Sequence, residues 1–263
     1  PMSQTRNTYI VSGGASELGA SMARHIHSRG CHVVISDLDL PGAQRIAAQL
    51  GEGAMAIACD IRDDGDIENL VATTAARFGR LDGLVNNAVT YTDSGITSSR
   101  AEWLEALDVN LVGGARLLSC SIEWLERSPC ASVVNVASIA AKHAQRGRAL
   151  YPCSKRALIQ LTQAQAVELA EKKIRVNSVS PAWTWSRPVQ EACGGDRAHA
   201  DRVAAKVHPL GRVADQNEVA RAVWFLLSDE SSFITGSDLP VDGGHSTLGP
   251  DAGQPIQGEL RKP

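Results

Sequence analysis

The chain has 263 residues, 43% apolar and 21% charged, with 23 glycines and 11 prolines, a composition that excludes collagen-like, disulfide-scaffold and disordered classes. A formal charge of -3, with no basic run longer than two residues, argues against nucleic acid as a partner. With no apolar stretch near the ~20 residues that span a bilayer and no secretory pattern in the opening PMSQTRNTY, a cytoplasmic protein without a membrane partner is expected.

Residues 1–7, where Pro1 precedes Met2, read as a disordered, tag-scarred extension outside the fold. The first strand is expected at TYIVS, 8–12, and the following Ser12-Gly13-Gly14-Ala15-Ser16-Glu17-Leu18-Gly19 leads into a helix. Glycines at a strand-to-helix turn let backbone N–H groups approach a pyrophosphate, although the spacing is not GxGxxG and an unliganded turn is the alternative. A second strand at 33–36 ends at Asp37, 24 residues after Gly13, where a carboxylate can accept both hydroxyls of an adenosine ribose. A third follows at 54–58 and a fourth at 84–86.

Between the fourth strand and the fifth, at 132–136, Leu104, Leu107, Leu111, Ala115, Leu118, Ile122 and Leu125 recur at steps of three and four and predict one long helix. Tyr151 and Lys155 then stand four residues apart, on one helix face, where an ammonium can favour the deprotonated form of a phenol. Strands at 174–180 and 239–241 complete seven. All are apolar on successive residues, as in a parallel sheet covered on both faces, and the strand–helix alternation predicts a doubly wound α/β fold in one domain, 8–244. Residues 181–214 read as a substrate lid and 245–263 as an irregular tail carrying Gly249, Pro250, Gly253, Pro255 and Gly258. Cys31, Cys59, Cys120, Cys130, Cys153 and Cys193 form no CxxC pair and share no ligand spacing with the seven histidines, so free thiols and no metal are expected.

These motifs together resemble the short-chain dehydrogenase/reductase family, in its branch of about 250 residues, over 8–244. Ser12, Gly13 and Gly19 match its glycine turn, and Asn86, Asn87 and Ala88 its Asn-Asn-Ala-Gly motif. Asn110 matches its helix asparagine, Ser138 the serine thirteen residues before Tyr151, and Tyr151 with Lys155 its Tyr-x-x-x-Lys pair. The segment from Pro181, HPLGR at 208–212 and VDGG at 241–244 match later motifs.

The resemblance implies a Rossmann fold with a seven-stranded parallel sheet, a homotetramer, and NAD-dependent hydride transfer to or from a small-molecule secondary alcohol or ketone. Tyr151 is then the general acid or base, Lys155 lowers its pKa and holds the nicotinamide ribose, Ser138 bonds the reacting oxygen, and Asn110 fixes a water. Gly13, Ser16, Glu17, Leu18, Gly19, Asp37, Asp60, Ile61, Asn87, Ala88, Pro181, Thr184 and Ser186 would surround the cofactor with Tyr151 and Lys155. Asp37, with no basic residue at Ser16 or Leu38, points to NAD over NADP.

Glu17, Val89 and Ala182 stand where the family has glycine. Glu17 either approaches the pyrophosphate or, the preferred reading, faces solvent and favours the helix N-terminus. These departures motivate an alternative, a catalytically silent nucleotide-binding regulator, and a methyltransferase would also use a glycine turn with a β2 carboxylate. The cations between Ser138 and Tyr151, with Gln145, Arg146 and Arg187, are candidates to orient an anionic substrate group against Trp183, Trp185 and Tyr91; solvent-facing cations are the alternative.

Overall fold

β-Branched residues at successive positions build strands that bury both faces, and helices are needed on each side to cover them. In the computed structural model, which describes residues 6–249 and 253, seven parallel strands form one sheet. They are β1 (Thr8–Ser12), β2 (His32–Asp37), β3 (Ala54–Ala58), β4 (Gly83–Asn86), β5 (Ser132–Val136), β6 (Arg175–Pro181) and β7 (Asp238–Val241). The order is β3-β2-β1-β4-β5-β6-β7. The strands fall within a residue or so of their expected places.

Alternate residues of β1 divide the core. Tyr9 and Val11 point to the face covered by α1 (Glu17–Ser28), α2 (Leu40–Leu50) and α9 (Gln216–Leu227), where they join Met22, Ile26 and Val223. Ile10 points to the face of α3 (Asp64–Phe78), α5 (Gly113–Leu125) and α6 (Leu150–Leu169), with Ile67, Leu70 and Leu117. The strand order reverses between β1 and β4, and Val11 stands level with both Ile35 and Val85. A crevice therefore opens at the carboxyl ends of these strands, where open α/β sheets bind ligands.

The long helix expected between β4 and β5 is interrupted. α4 (Arg100–Leu107) passes through a π-helical turn, Asp108–Val112, before α5 begins. The wider turn breaks the 3.6-residue register, so the apolar stripe does not run straight through it. Leu118 and Leu125 are buried, whereas Leu104 is 61% exposed.

The 181–214 excursion is largely helical. It contains α7 (Arg187–Ala192) and α8 (Arg197–Ala204), joined through Gly194 and Gly195, and Asp196 caps α8 by accepting the His199 N–H. Its two ends are zipped together, because Trp185 N donates to Ala214 O and Ala214 N to Trp183 O. The tail begins with a single turn at His245–Thr247. Of the disordered extension expected at 1–7, residues 1–5 lie outside the described residues, as does the tail beyond 249, Gly253 apart, whereas Asn7 joins the fold by accepting the His32 N–H at 2.8 Å.

Candidate active site

The switch-point crevice widens into a cleft of about 460 Å³ between the strand ends and the α7–α8 excursion. Ser138, Tyr151 and Lys155 lie along its floor, with Trp183 and Val189 on the excursion side. Ser138 follows β5 in extended conformation, and its Oγ accepts the Ala140 N–H at 3.1 Å. Tyr151 enters from the first turn of α6 and lines the cleft with Ser138. Burial pushes the Tyr151 hydroxyl well above its ordinary range and the neighbouring Tyr91 adds to this, while the Ser138 hydroxyl and the Arg148 charge pull the other way.

One turn further along, Lys155 is only 2% exposed. Its Nζ donates to Val136 O at 2.7 Å and lies 5.8 Å from the centre of the Tyr151 ring. Desolvation pushes its pKa down to about 7. Lys155 is not among the groups acting on the Tyr151 pKa; Ser138 and Arg148 act downward, and burial outweighs them, so the expected net lowering is not seen.

Asn110 sits in the π-helical turn and is fully occupied. Its Oδ1 accepts the Thr90 N–H at 2.8 Å, and its Nδ2 donates to Thr90 O and to Ser154 Oγ. A cavity of about 10 Å³, close to the volume one water needs, adjoins Asn110, Lys155, Ala88 and Ile61.

The glycine turn is shaped by close approach. Gly13 has φ +62°, and a Cβ there would lie 2.8 Å from Ala88 Cα; a side chain on Gly19 would collide with the Gly13 carbonyl. Asn87 donates through Nδ2 to the Ser12 and Gly13 carbonyls, and Ser12 Oγ accepts the N–H groups of Asn87 and Ala88. Ser16 caps α1 by accepting the Gly19 N–H, while the Glu17 and Leu18 N–H groups at the helix start have no acceptor among the described residues. Asp37 accepts the Ala15 and Asp39 N–H groups, one on each oxygen, which sets a carboxylate against the turn. Free donors at a helix start beside a sterically tight turn and a carboxylate fit a dinucleotide.

A family model described as enoyl-(acyl carrier protein) reductase matches residues 13–246. The 2,5-dichloro-2,5-cyclohexadiene-1,4-diol dehydrogenase of Sphingobium indicum is 32% identical over 245 residues, 92% of this chain and 97% of its own. The cis-4-hydroxycyclohexanecarboxylate dehydrogenase of Sinomonas cyclohexanicum is 33% identical, covering 91% of this chain and 96% of its own. The crystal structure of 3-ketoacyl-(acyl-carrier-protein) reductase from Brucella melitensis, complexed with NADH, superposes with a TM-score of 0.82 at 29% identity, over 91% of this chain and 98% of that one. The chain belongs to the short-chain dehydrogenase/reductase family.

Members of this short-chain dehydrogenase/reductase family use a nicotinamide cofactor. Of the residues expected around it, Leu18, Asn87, Pro181, Thr184 and Ser186 line the cleft with Tyr151 and Lys155. Asp60 and Ile61 lie outside the cleft, beyond β3. Arg62 occupies both Asp60 carboxylate oxygens and holds its pKa below the ordinary range, and Ile61 packs in the core against Gly113. Glu17 is exposed and accepts from Gln216 Nε2 at 3.4 Å on the rim, whereas Val89 and Ala182 line the cleft.

The substrate candidates separate. Gln145 and Trp183 line the cleft; Arg146 does not, and Arg187 is exposed and paired with Glu191 at 2.7 Å. Lys142 is paired with Asp238. Arg148 is the arginine on the cleft wall, its guanidinium 4.9 Å from the centre of the Tyr151 ring.

Two residues of the loop after β4 neighbour Tyr151: Tyr91, expected from the sequence as an apolar wall and lining the cleft, and Asp93, which the sequence does not signal. Tyr91 stacks on the Tyr151 ring at 5.3 Å between centroids. Asp93, in the same loop after β4, accepts the N–H groups of Ala149 and Tyr151. Ala149, the N-cap of α6, makes no side-chain cap bond, so Asp93 supplies the cap from 56 residues away in the chain. A local capping pattern could not have revealed it.

Proposed function

We propose that this protein is an NAD(H)-dependent dehydrogenase that interconverts a secondary alcohol and its ketone, with Tyr151 as general acid or base. The carrying observation is that Ser138 and Tyr151 line the same cleft, with Lys155 buried one helical turn behind Tyr151. Ser138 and Tyr151 together present two hydroxyls to one reacting oxygen. Tyr151 gives or takes its proton, and Ser138 holds the oxygen in line.

When bound, the nicotinamide supplies or accepts the hydride. Gly13, Ser16, Leu18 and Gly19 would hold its pyrophosphate end, and Asp37 its adenosine ribose. A carboxylate at Asp37 disfavours a 2'-phosphate and supports NAD over NADP. Lys155 would meet the nicotinamide ribose, and the small cavity beside Asn110 gives its ammonium a route for protons. Relatives named for a cyclohexadienediol and a hydroxycyclohexanecarboxylate support a cyclic secondary alcohol as substrate class.

The test is steady-state turnover of cyclic secondary alcohols with NAD and with NADP, in wild type and Tyr151→Phe. NAD should give the higher kcat/KM. The variant should lose at least about a thousandfold in kcat, within the range for positioned acid–base groups, while NADH still binds by fluorescence titration. A Tyr151→Phe enzyme retaining a tenth of wild-type turnover would exclude Tyr151 as the proton carrier.

A further inference from the structure

We infer that Arg148 anchors a carboxylate on the substrate, so that the enzyme acts on a compact carboxylated secondary alcohol or its ketone. This rests on the dehydrogenase activity proposed above and extends it to the substrate's charge.

The first observation is the sign of the cleft. Among the described residues its walls carry no Asp or Glu side chain, while Arg148, Lys155 and His199 all line it. Lys155 is buried and already donates to Val136 O, so Arg148 is the permanent cation that faces the opening. A ligand bearing negative charge meets no repulsion there.

The second is selection among neighbouring cations. Lys142 is held by Asp238 and Arg187 by Glu191, and Arg146 is off the cleft. Among the described residues Arg148 has no carboxylate partner. Its guanidinium instead lies against the face of the Tyr151 ring. A cation–π contact uses none of the guanidinium N–H groups as a charge partner, so they stay available for two parallel bonds to a carboxylate.

The third is a fixed backbone. Arg148 N donates to Gln145 O, closing a turn through Gly147 at φ +77°, and the turn packs against Gly95. Immediately after it, Asp93 grips the N–H groups of Ala149 and Tyr151. Arg148 is thus held on both sides and fixed relative to the catalytic hydroxyl. Because the anchor rests on the ring that carries this hydroxyl, carboxylate and carbinol must lie within one small molecule's width of each other.

The test compares 3-hydroxycyclohexanecarboxylate with its methyl ester, using NAD and wild type, Arg148→Gln and Arg148→Lys. The readout is the ratio of the two kcat/KM values, from which any effect of Arg148 on Tyr151 acidity cancels. Wild type should favour the carboxylate by about tenfold to a hundredfold, mainly in KM, in line with a charged hydrogen-bonded pair. The ratio should fall to one or below in Arg148→Gln and stay partly elevated in Arg148→Lys. Wild type preferring the ester, or both substrates falling equally in Arg148→Gln, would overturn the anchor while leaving the dehydrogenase in place. Absence of turnover with any alcohol, charged or neutral, would overturn the dehydrogenase reading and the anchor with it.

Discussion

Lys155 is the most strained single residue in the site. An amine with an ordinary value of 10.5 is held at about 7 by burial, with one carbonyl as its hydrogen-bond partner. Between these two values the unfolded chain binds the proton and the folded chain does not, so stability rises with pH across that window. Below about 7 the folded chain carries a buried charge and the whole penalty. Lys155→Met should therefore melt about 3–6 °C above wild type at pH 6.5 while losing turnover, and the difference should shrink as pH approaches 10. Thermal melts at four pH values check this; a pH-independent difference would show that the charge is not the source.

At the scale of elements, the helix that carries Tyr151 is anchored from outside itself. The loop after β4 stacks Tyr91 on Tyr151 and caps α6 with Asp93, so two contacts fix the start of this helix, and Thr90 ties the same loop to Asn110 in the π-helical turn. Burial of Asp93 opposes its ionisation, but the N–H groups of Ala149, Tyr151 and Gly95 outweigh it and hold the carboxyl below its ordinary range. That contribution is complete above the unfolded value and is lost as pH falls through the lowered one. Asp93→Ala leaves these donors unpaired and should cost about 1–3 kcal/mol of stability. Because Tyr151 N is one of them, kcat should fall tenfold or more at pH values where the variant is fully folded. Asp93→Asn, which keeps an acceptor oxygen, should recover part of both. A variant destabilised as expected but with kcat unchanged would show that Asp93 serves the fold and not the position of Tyr151.

For the whole molecule, exposed apolar side chains point to a partner surface. Val167 on α6 is 80% exposed, and Leu104 on α4 and Val112 in the π-helical turn are also exposed. On α6, Leu158 and Leu169 are buried in the core, while Leu161 is half-buried and Ala164 exposed. Ala164 and Val167 are thus apolar positions on an outward face that also carries Gln160, Gln163 and Glu168. A homotetramer formed through the α4 and α6 faces is the expected assembly. Light scattering at micromolar concentration should give four times the 27.9 kDa chain mass, and Val167→Glu should reduce it. A wild-type monomer would rule this assembly out.

The sequence by itself determined the sheet, the turn and the placement of Tyr151 and Lys155 on one helix face, because each is set over a few residues. Continuous apolar runs mark buried parallel strands, glycines mark where backbone approaches backbone at Gly13, and a four-residue offset puts Tyr151 and Lys155 on one face. The family pattern then joined Ser138 and Asn110 to them. Only the tertiary structure decided which charges remain unpaired. Lys142, Arg146, Arg148 and Arg187 look alike along the chain, but their partners Asp238 and Glu191 are chosen by packing, and Arg148 alone among them meets the cleft. The same holds for Asp93, whose acceptor role spans 56 residues, and for the π-helical turn that turns Leu104 outward. Local periodicity carries no record of contacts between distant segments, and those contacts set the charge of this cleft and the position of its tyrosine.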